Sequence, residues 1–126
     1  MSVQIVPRPD LGVTVVEIAG ELDIDSAPAF RECLTGVVRD GATRIVVDAH
    51  RLRFCDSIGL SSLITTQQAC LARGGFLRLA GADDALRRLL LIVGLLDYVP
   101  AYASVEAAAS GDPAARAYAE HARAAR

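Results

Sequence analysis

The chain has 126 residues, 52% of them hydrophobic and 22% charged, with a formal net charge of -2; this is the balance of one compact domain and excludes a disordered segment. That charge and a sequence pI of about 5.6 leave no basic footprint for nucleic acid, and no Trp with only 5% aromatics leaves no stacking platform for single strands. All thirteen basic residues are Arg, so Schiff-base chemistry, a P-loop and the strand lysine of a protein kinase are excluded together.

Val3 to Val6 reads as a short strand, and Pro7, Pro9, Asp10 and Gly12 supply the turn that follows. Val13 to Ala19, rich in Val and Ile, reads as a second strand pairing antiparallel with the first. Gly20-Glu21-Leu22-Asp23 is expected to break it. Asp25 or Ser26 can then cap a helix with Pro28 in its first turn. Its packing face is Ala27, Phe30, Leu34, Val37 and Val38, while Arg31, Glu32, Thr35 and Arg39 fall largely on the wet side. Gly41 ends the helix, and Arg44 to Asp48 follows as a short buried strand that begins a parallel β-α-β arrangement. A polar loop is expected through His50 and Arg53.

Ser57 opens the next helix, with Leu60, Leu63, Ile64 and Leu71 as its inner stripe and Gly74-Gly75 as its stop. Phe76 to Ala80 is the next strand. Asp83 and Asp84 start a third helix carrying Leu86, Leu89, Leu90 and Val93, which Gly94 stops. Tyr98 to Tyr102 can form the last strand, and Pro100 puts it at an edge or in an irregular position. Ser104 caps a short helix ending near Gly111. Beyond it, Asp112 and Pro113 give a start signal and the alanines a high helix propensity. Residues 112–126 therefore read as a helical, weakly packed tail anchored mainly by Tyr118. The whole order is that of a mixed α/β domain.

Cys33, Cys55 and Cys70 are odd in number and lack C-x-x-C spacing, which predicts reduced thiols, a cytoplasmic location and no metal cluster. His121 stands alone in the tail and cannot build a metal site. The longest apolar run, Leu89 to Leu96, is far below the roughly 20 residues that span a bilayer. Residues 1–15 show no signal-peptide pattern, so no membrane insertion is expected.

The segment richest in chemistry is Phe54-Cys55-Asp56-Ser57-Ile58-Gly59-Leu60. It sets a serine hydroxyl at the mouth of a helix, facing free backbone N–H groups and the positive end of the helix dipole. One reading is an N-cap, with Ser57 bonding back to the N–H of Gly59 or Leu60. The other is a phosphate acceptor, because a helix start tolerates an added dianion. The two are compatible.

With these residues in place the sequence resembles the STAS family, and within it the anti-sigma factor antagonists. Gly20-Glu21-Leu22-Asp23 followed by Ala27-Pro28 resembles the family's loop and first helix start, and Arg44 to Asp48 its central strand. Phe54 to Leu60 resembles its Asp-Ser-x-Gly-Leu phosphorylation motif, and Val93 to Pro100 its exit from the third helix into the last strand. The resemblance covers roughly residues 3 to 110. It implies a single STAS-like domain over residues 1–111, with a mixed sheet of about five strands and helices mainly on one face. It further implies that Ser57 is the phosphorylated residue and that the protein is a regulator, not an enzyme. The kinase would be the anti-sigma factor itself, of the histidine-kinase-like ATPase fold, which the unphosphorylated antagonist binds to free the sigma factor. A serine phosphatase would reset it, and no cofactor is implied. The partner-binding residues are then Asp56, Ser57, Ile58, Gly59, Leu60 and Ser61. Asp23 and Asp25 on the preceding loop read equally as an acidic rim for a partner, completing that set, or as turn and cap chemistry. Ile58 departs from the small or hydroxyl residue of many relatives, and the tail from Asp112 runs past the usual domain end.

A second reading is a non-switching STAS subunit or scaffold docking on a transporter's ATPase or permease. A third is a hydrolase using Asp48, His50 and Ser57. Against it, Gly59-Leu60-Ser61-Ser62-Leu63 lacks the second Gly of a nucleophile elbow.

Overall fold

The computed structural model describes residues 1–118. The strands are β1 (Ser2–Arg8), β2 (Val13–Leu22), β3 (Arg44–Cys55), β4 (Phe76–Ala80), β5 (Ala101–Tyr102) and β6 (Arg116–Ala117). The helices are α1 (Ala27–Arg39), α2 (Ser57–Ala72), α3 (Asp84–Ile92) and α4 (Val105–Ser110). The sheet runs β1-β2-β3-β4-β5-β6, antiparallel at its two outer pairs and parallel between. Because strand order follows chain order, right-handed crossovers deliver α1, α2 and α3 to the same face. There they bury Phe30, Leu34, Leu60, Leu63 and Leu90 against Val16, Ile18, Ile45 and Leu77 of the sheet. On the other face α4 brings Ala108 onto Val46, Ala80 and Tyr102. Ile45, Val46 and Val47 are consequently all buried, as a strand covered on both sides requires.

Three expectations change. First, β2 does not break at Gly20, nor does a loop start after Asp48. The two strands stay paired to Leu22 and Cys55 through register shifts between Glu17 and Ala19 and between Gly20 and Glu21. Leu22 and Leu52 are buried along this extension, while Glu21, Arg51 and Arg53 face water. The polar residues that read as a loop are the wet side of a strand.

Second, the inner face of α2 is more polar than its leucines suggested. Leu71 is exposed and Ile64 half-buried, whereas Ser62, Thr66, Gln67 and Cys70 are buried. Gln67 is inside because β4 needs it. Its Oε1 accepts the Leu77 N–H at 2.6 Å, and its Nε2 reaches the carbonyls of Leu77 and Tyr98, both at 2.8 Å. A single amide side chain thereby satisfies three backbone groups that burial would otherwise orphan.

Third, the last strand is shorter and the sheet wider than expected. Tyr98 and Val99 form a turn whose amides bond to the Leu95 carbonyl, leaving only Ala101–Tyr102 as β5. Nor is β5 an edge: Arg116–Ala117 pairs with it as a sixth strand. Asp112 does cap, its side chain accepting the Ala114 N–H at 3.0 Å, but Pro113–Ala115 makes one 3-10 turn in place of a helix. Ala117 then joins the main core, so the sheet passes the expected boundary at 111. The rest of the tail, His121 included, lies outside the described residues.

The contribution of β6 is testable by truncation. Against a chain ending at Tyr118, one ending at Gly111 should still fold but melt about 4–8 °C lower, because it loses the ladder to β5 and the burial of Ala117, together worth roughly 1–2 kcal/mol. A difference under about 2 °C by calorimetry would show that β6 adds nothing.

Candidate functional site

β2 and β3 end side by side, and the Asp56 N–H donates to the Leu22 carbonyl at 3.2 Å. Asp56 keeps an extended backbone, and its carboxylate accepts the Gly59 N–H at 2.8 Å while its carbonyl accepts the Leu60 N–H at 3.0 Å. Asp56 is therefore the N-cap, in place of Ser57. A carboxylate one residue upstream reaches the same amide and brings favourable charge to the helix dipole. Ser57 becomes the first helical residue, exposed to solvent and not needed for the cap.

The glycine two residues on has a steric reason. A Cβ at Gly59 would stand 2.7 Å from the Leu22 carbonyl oxygen and 2.8 Å from the Leu22 side chain. The first turn of α2 lies directly on the end of β2, and Leu60 anchors it in the core. Asp caps, Ser is presented, Gly permits the approach and Leu fixes it.

Around this junction the surface is unusually apolar. Ile24 is 62% exposed, Phe54 51% and Ile58 44%. The sequence reading singled out Ile58 alone; Phe54 is exposed on the extended end of β3, and Ile24 in the turn between β2 and α1.

The acidic rim divides. The Asp23 carboxylate accepts the backbone N–H groups of Asp25 at 3.0 Å and Ser26 at 3.1 Å. These bonds, that of Ser26 foremost, hold its carboxyl below the ordinary carboxylate value. Any stability Asp23 adds is present near neutrality and is lost in acid, as pH falls through that lowered value. Asp23 also closes the turn into α1 that Asp25 or Ser26 was expected to cap: Ser26 occupies the N-cap position but makes no side-chain cap bond. Its hydroxyl instead donates to the Glu21 carbonyl at 2.8 Å. Asp25 is simply exposed.

Ser61, one turn beyond Ser57, is already engaged. Its hydroxyl donates to the Ile58 carbonyl at 2.6 Å and accepts from the Arg31 guanidinium at 3.0 Å. Arg31 thus reaches from α1 onto the first turns of α2, a place the sequence reading missed. On one helix Arg31 is only a wet-face residue; the packing of α1 on α2 gives it this position.

Other chemistry is weak here. Burial, with a smaller effect from the Asp56 charge, pushes the Cys55 thiol up to about 12, and burial raises Cys33 and Cys70 as well. All three are free thiols. His50 does meet Asp48, Nδ1 to Oδ1 at 2.5 Å. Five residue steps along β3 then carry the chain from it to Cys55, roughly 17 Å at the rise of a strand, and no triad with Ser57 is assembled. Asp83 caps α3 through the Leu86 N–H at 2.8 Å, as the dipole reading expected. Among the described residues no group of three or more His, Cys, Asp or Glu could hold a metal ion, and no helix is long and apolar enough to cross a membrane.

The STAS domain family model matches residues 4–108. The anti-sigma-B factor antagonist of Bacillus subtilis is 35% identical over 91 residues, which is 72% of this chain and 83% of that protein. The structure of an anti-sigma factor antagonist from Mycobacterium paratuberculosis superposes with a TM-score of 0.78 at 27% identity, covering 87% of this chain and 92% of that one. The phosphorylated form of the Bacillus cell fate determinant SpoIIAA superposes with a TM-score of 0.66 over 87% of this chain and 98% of that one. At 23% identity that likeness is one of fold.

Two measurements check the junction. Gly59→Ala should destabilise by about 1–3 kcal/mol in urea melts, because the added methyl must push α2 off β2; an unchanged midpoint would mean that the contact yields freely. Alkylation of native Cys55 at pH 8 should run at least about a hundredfold slower than in the urea-unfolded chain, since burial makes thiolate scarce and the thiol is half-buried. Comparable rates by mass spectrometry would contradict the burial.

Proposed function

The chain belongs to the STAS domain family, and on that premise we propose that it is an anti-sigma factor antagonist switched by phosphorylation of Ser57. Unphosphorylated, it binds an anti-sigma factor kinase of the histidine-kinase-like ATPase fold and frees the sigma factor. Phosphorylated, it lets go, and a serine phosphatase restores it. The observation that carries this reading is the separation of duties at the helix mouth: Asp56 holds the cap, so Ser57 can be modified without costing the helix its start. The name of the B. subtilis relative and the phosphorylated form of SpoIIAA, a protein of the same fold, support it.

The physics of the switch is a contrast of environments. A phosphoserine carries about -1.5 to -2 charges at pH 7. In the free protein that charge meets the first-turn amides of α2, which favour it by roughly 0.3–1 kcal/mol, and the Arg31 guanidinium one turn away. In the complex it must be desolvated beside the carboxylates of Asp56, Asp23 and Asp25. Ile24, Phe54 and Ile58 supply the apolar area that the partner covers. Gly59 and Leu60, being buried, shape this surface without touching the partner, and Ser61 holds Arg31 in place.

Titration of the cognate anti-sigma kinase tests the proposal. Phosphorylated protein should bind about a hundredfold more weakly than unmodified protein, equivalent to about 3 kcal/mol. Ser57→Ala should bind as the unmodified protein does and melt within about 2 °C of it, because the cap belongs to Asp56. Ser57→Asp should fall between, carrying one charge and fewer acceptor oxygens. Equal affinity across these forms, or weak binding explained by unfolding in parallel melts, would overturn the switch.

A further inference from the structure

We propose that the crevice beside the middle of β3 and at the carboxyl ends of β4 and β5 binds a small oxyanion, a phosphate or carboxylate group on a compact metabolite. This site is separate from the Ser57 surface and does not depend on the switch reading. Its origin is topological. The first three helices lie on one face of the sheet, but after β5 the chain crosses to the other face as α4 and returns as β6. Between α3 and that return a crevice of about 360 Å³ opens, within the size range of small-ligand sites.

Its walls bring together nitrogen-bearing side chains from three elements: His50 of β3, Arg87 of α3 and Arg116 of β6. Arg87 pairs with Asp84, and Arg116 with Asp97 at 3.5 Å, but those carboxylates face solvent, at 66% and 77% exposed. The Nε–H groups of both arginines are buried and have no acceptor among the described residues. A buried donor left unpaired is costly, and both arginines line this crevice. Guanidinium groups recognise phosphate and carboxylate through such N–H donors. His50 has its Nδ1 engaged by Asp48 at 2.5 Å, which leaves Nε2 as the nitrogen able to meet a ligand.

The rest of the lining makes room. Gly81, at φ +69°, lies so close to the His50 ring that a Cβ would stand 2.4 Å from it. Alanines 101, 103, 114, 115 and 117 supply short walls. Strong donors among small apolar side chains suit a charged head on a small body.

The test is an NMR titration of the full ¹⁵N-labelled chain with sodium phosphate and, separately, sodium succinate, at constant ionic strength against chloride. Saturable shifts should cluster at Gly81, Ala82 and the backbone and Nε signals of Arg87 and Arg116. They should weaken at least tenfold in Arg87→Gln and in Arg116→Gln. Saturation by phosphate alone assigns a phosphate group, and by succinate alone a carboxylate; either supports the site. Should Arg116→Gln fail to fold, Arg87→Gln, checked by its melt, decides. Absence of saturable shifts with both anions, shifts confined to the Ser57 end of α2, or shifts unchanged in folded Arg87→Gln would overturn the proposal.

Discussion

The carbonyl of Leu22 is the point on which the functional end of this molecule is built. It accepts the Asp56 N–H and lies where any side chain at position 59 would have to go. One oxygen therefore sets how far β2 and β3 run together, where α2 begins and how closely that helix lies on the sheet. Shifting α2 by even a methyl group would move the exposed Ser57 and Ile58 relative to Ile24 and Phe54. The Asp-Ser-x-Gly-Leu spacing is the residue-level statement of this contact. Each position does a different job, and only the serine is left with nothing structural to do.

That division explains how a domain can be regulated at a helix start without risking its fold. If the modified residue were also the cap, adding phosphate would trade one local bond for another and couple affinity to stability. Here the cap is a carboxylate upstream, and Ser61 downstream is tied to Arg31 and the Ile58 carbonyl. The apolar exposure at Ile24, Phe54 and Ile58 is a modest liability in the free protein and a source of binding energy once covered. A charge added at Ser57, next to Ile58, would act on a complex far more than on the monomer, because solvent screens it in one state and not in the other.

Sequential strand order also shapes the β6 edge of the sheet. With α1, α2 and α3 all delivered to one face, the other is closed by α4 alone and the chain must double back to finish the edge. The return places β6 beside β5 and draws Arg116 toward Arg87. Both arginines reach outward to exposed carboxylates with one end and keep an inward donor at the other.

Local rules determined much of this in advance. The Val and Ile runs, the amphipathic spacing of Phe30, Leu34 and Val38, and the glycine stops fixed the alternation of strands and helices, because burial of one face imposes its period on the chain. The Asp56 to Leu60 segment marked the helix mouth for the same reason: free amides there favour only a few residue types. What the sequence could not settle depends on partners distant in the chain. Arg51 and Arg53 look like loop residues until β2 is seen to pair with β3 on either side of them, at Ala19 with Arg51 and at Glu21 with Phe54, since a strand's wet face and a loop share a composition. Gln67 looks misplaced until β4 supplies two groups for its amide and the turn at Tyr98 a third. Arg116 and Ala117 look like a frayed helix until β5 offers a ladder, because alanine's helix propensity, a few tenths of a kcal/mol per residue, is outweighed by tertiary hydrogen bonds and burial. Ser57 and Asp56 exchanged roles for a similar reason: both can cap a helix, and the extended backbone at the end of β3, fixed by the Leu22 carbonyl, gave the cap to the aspartate.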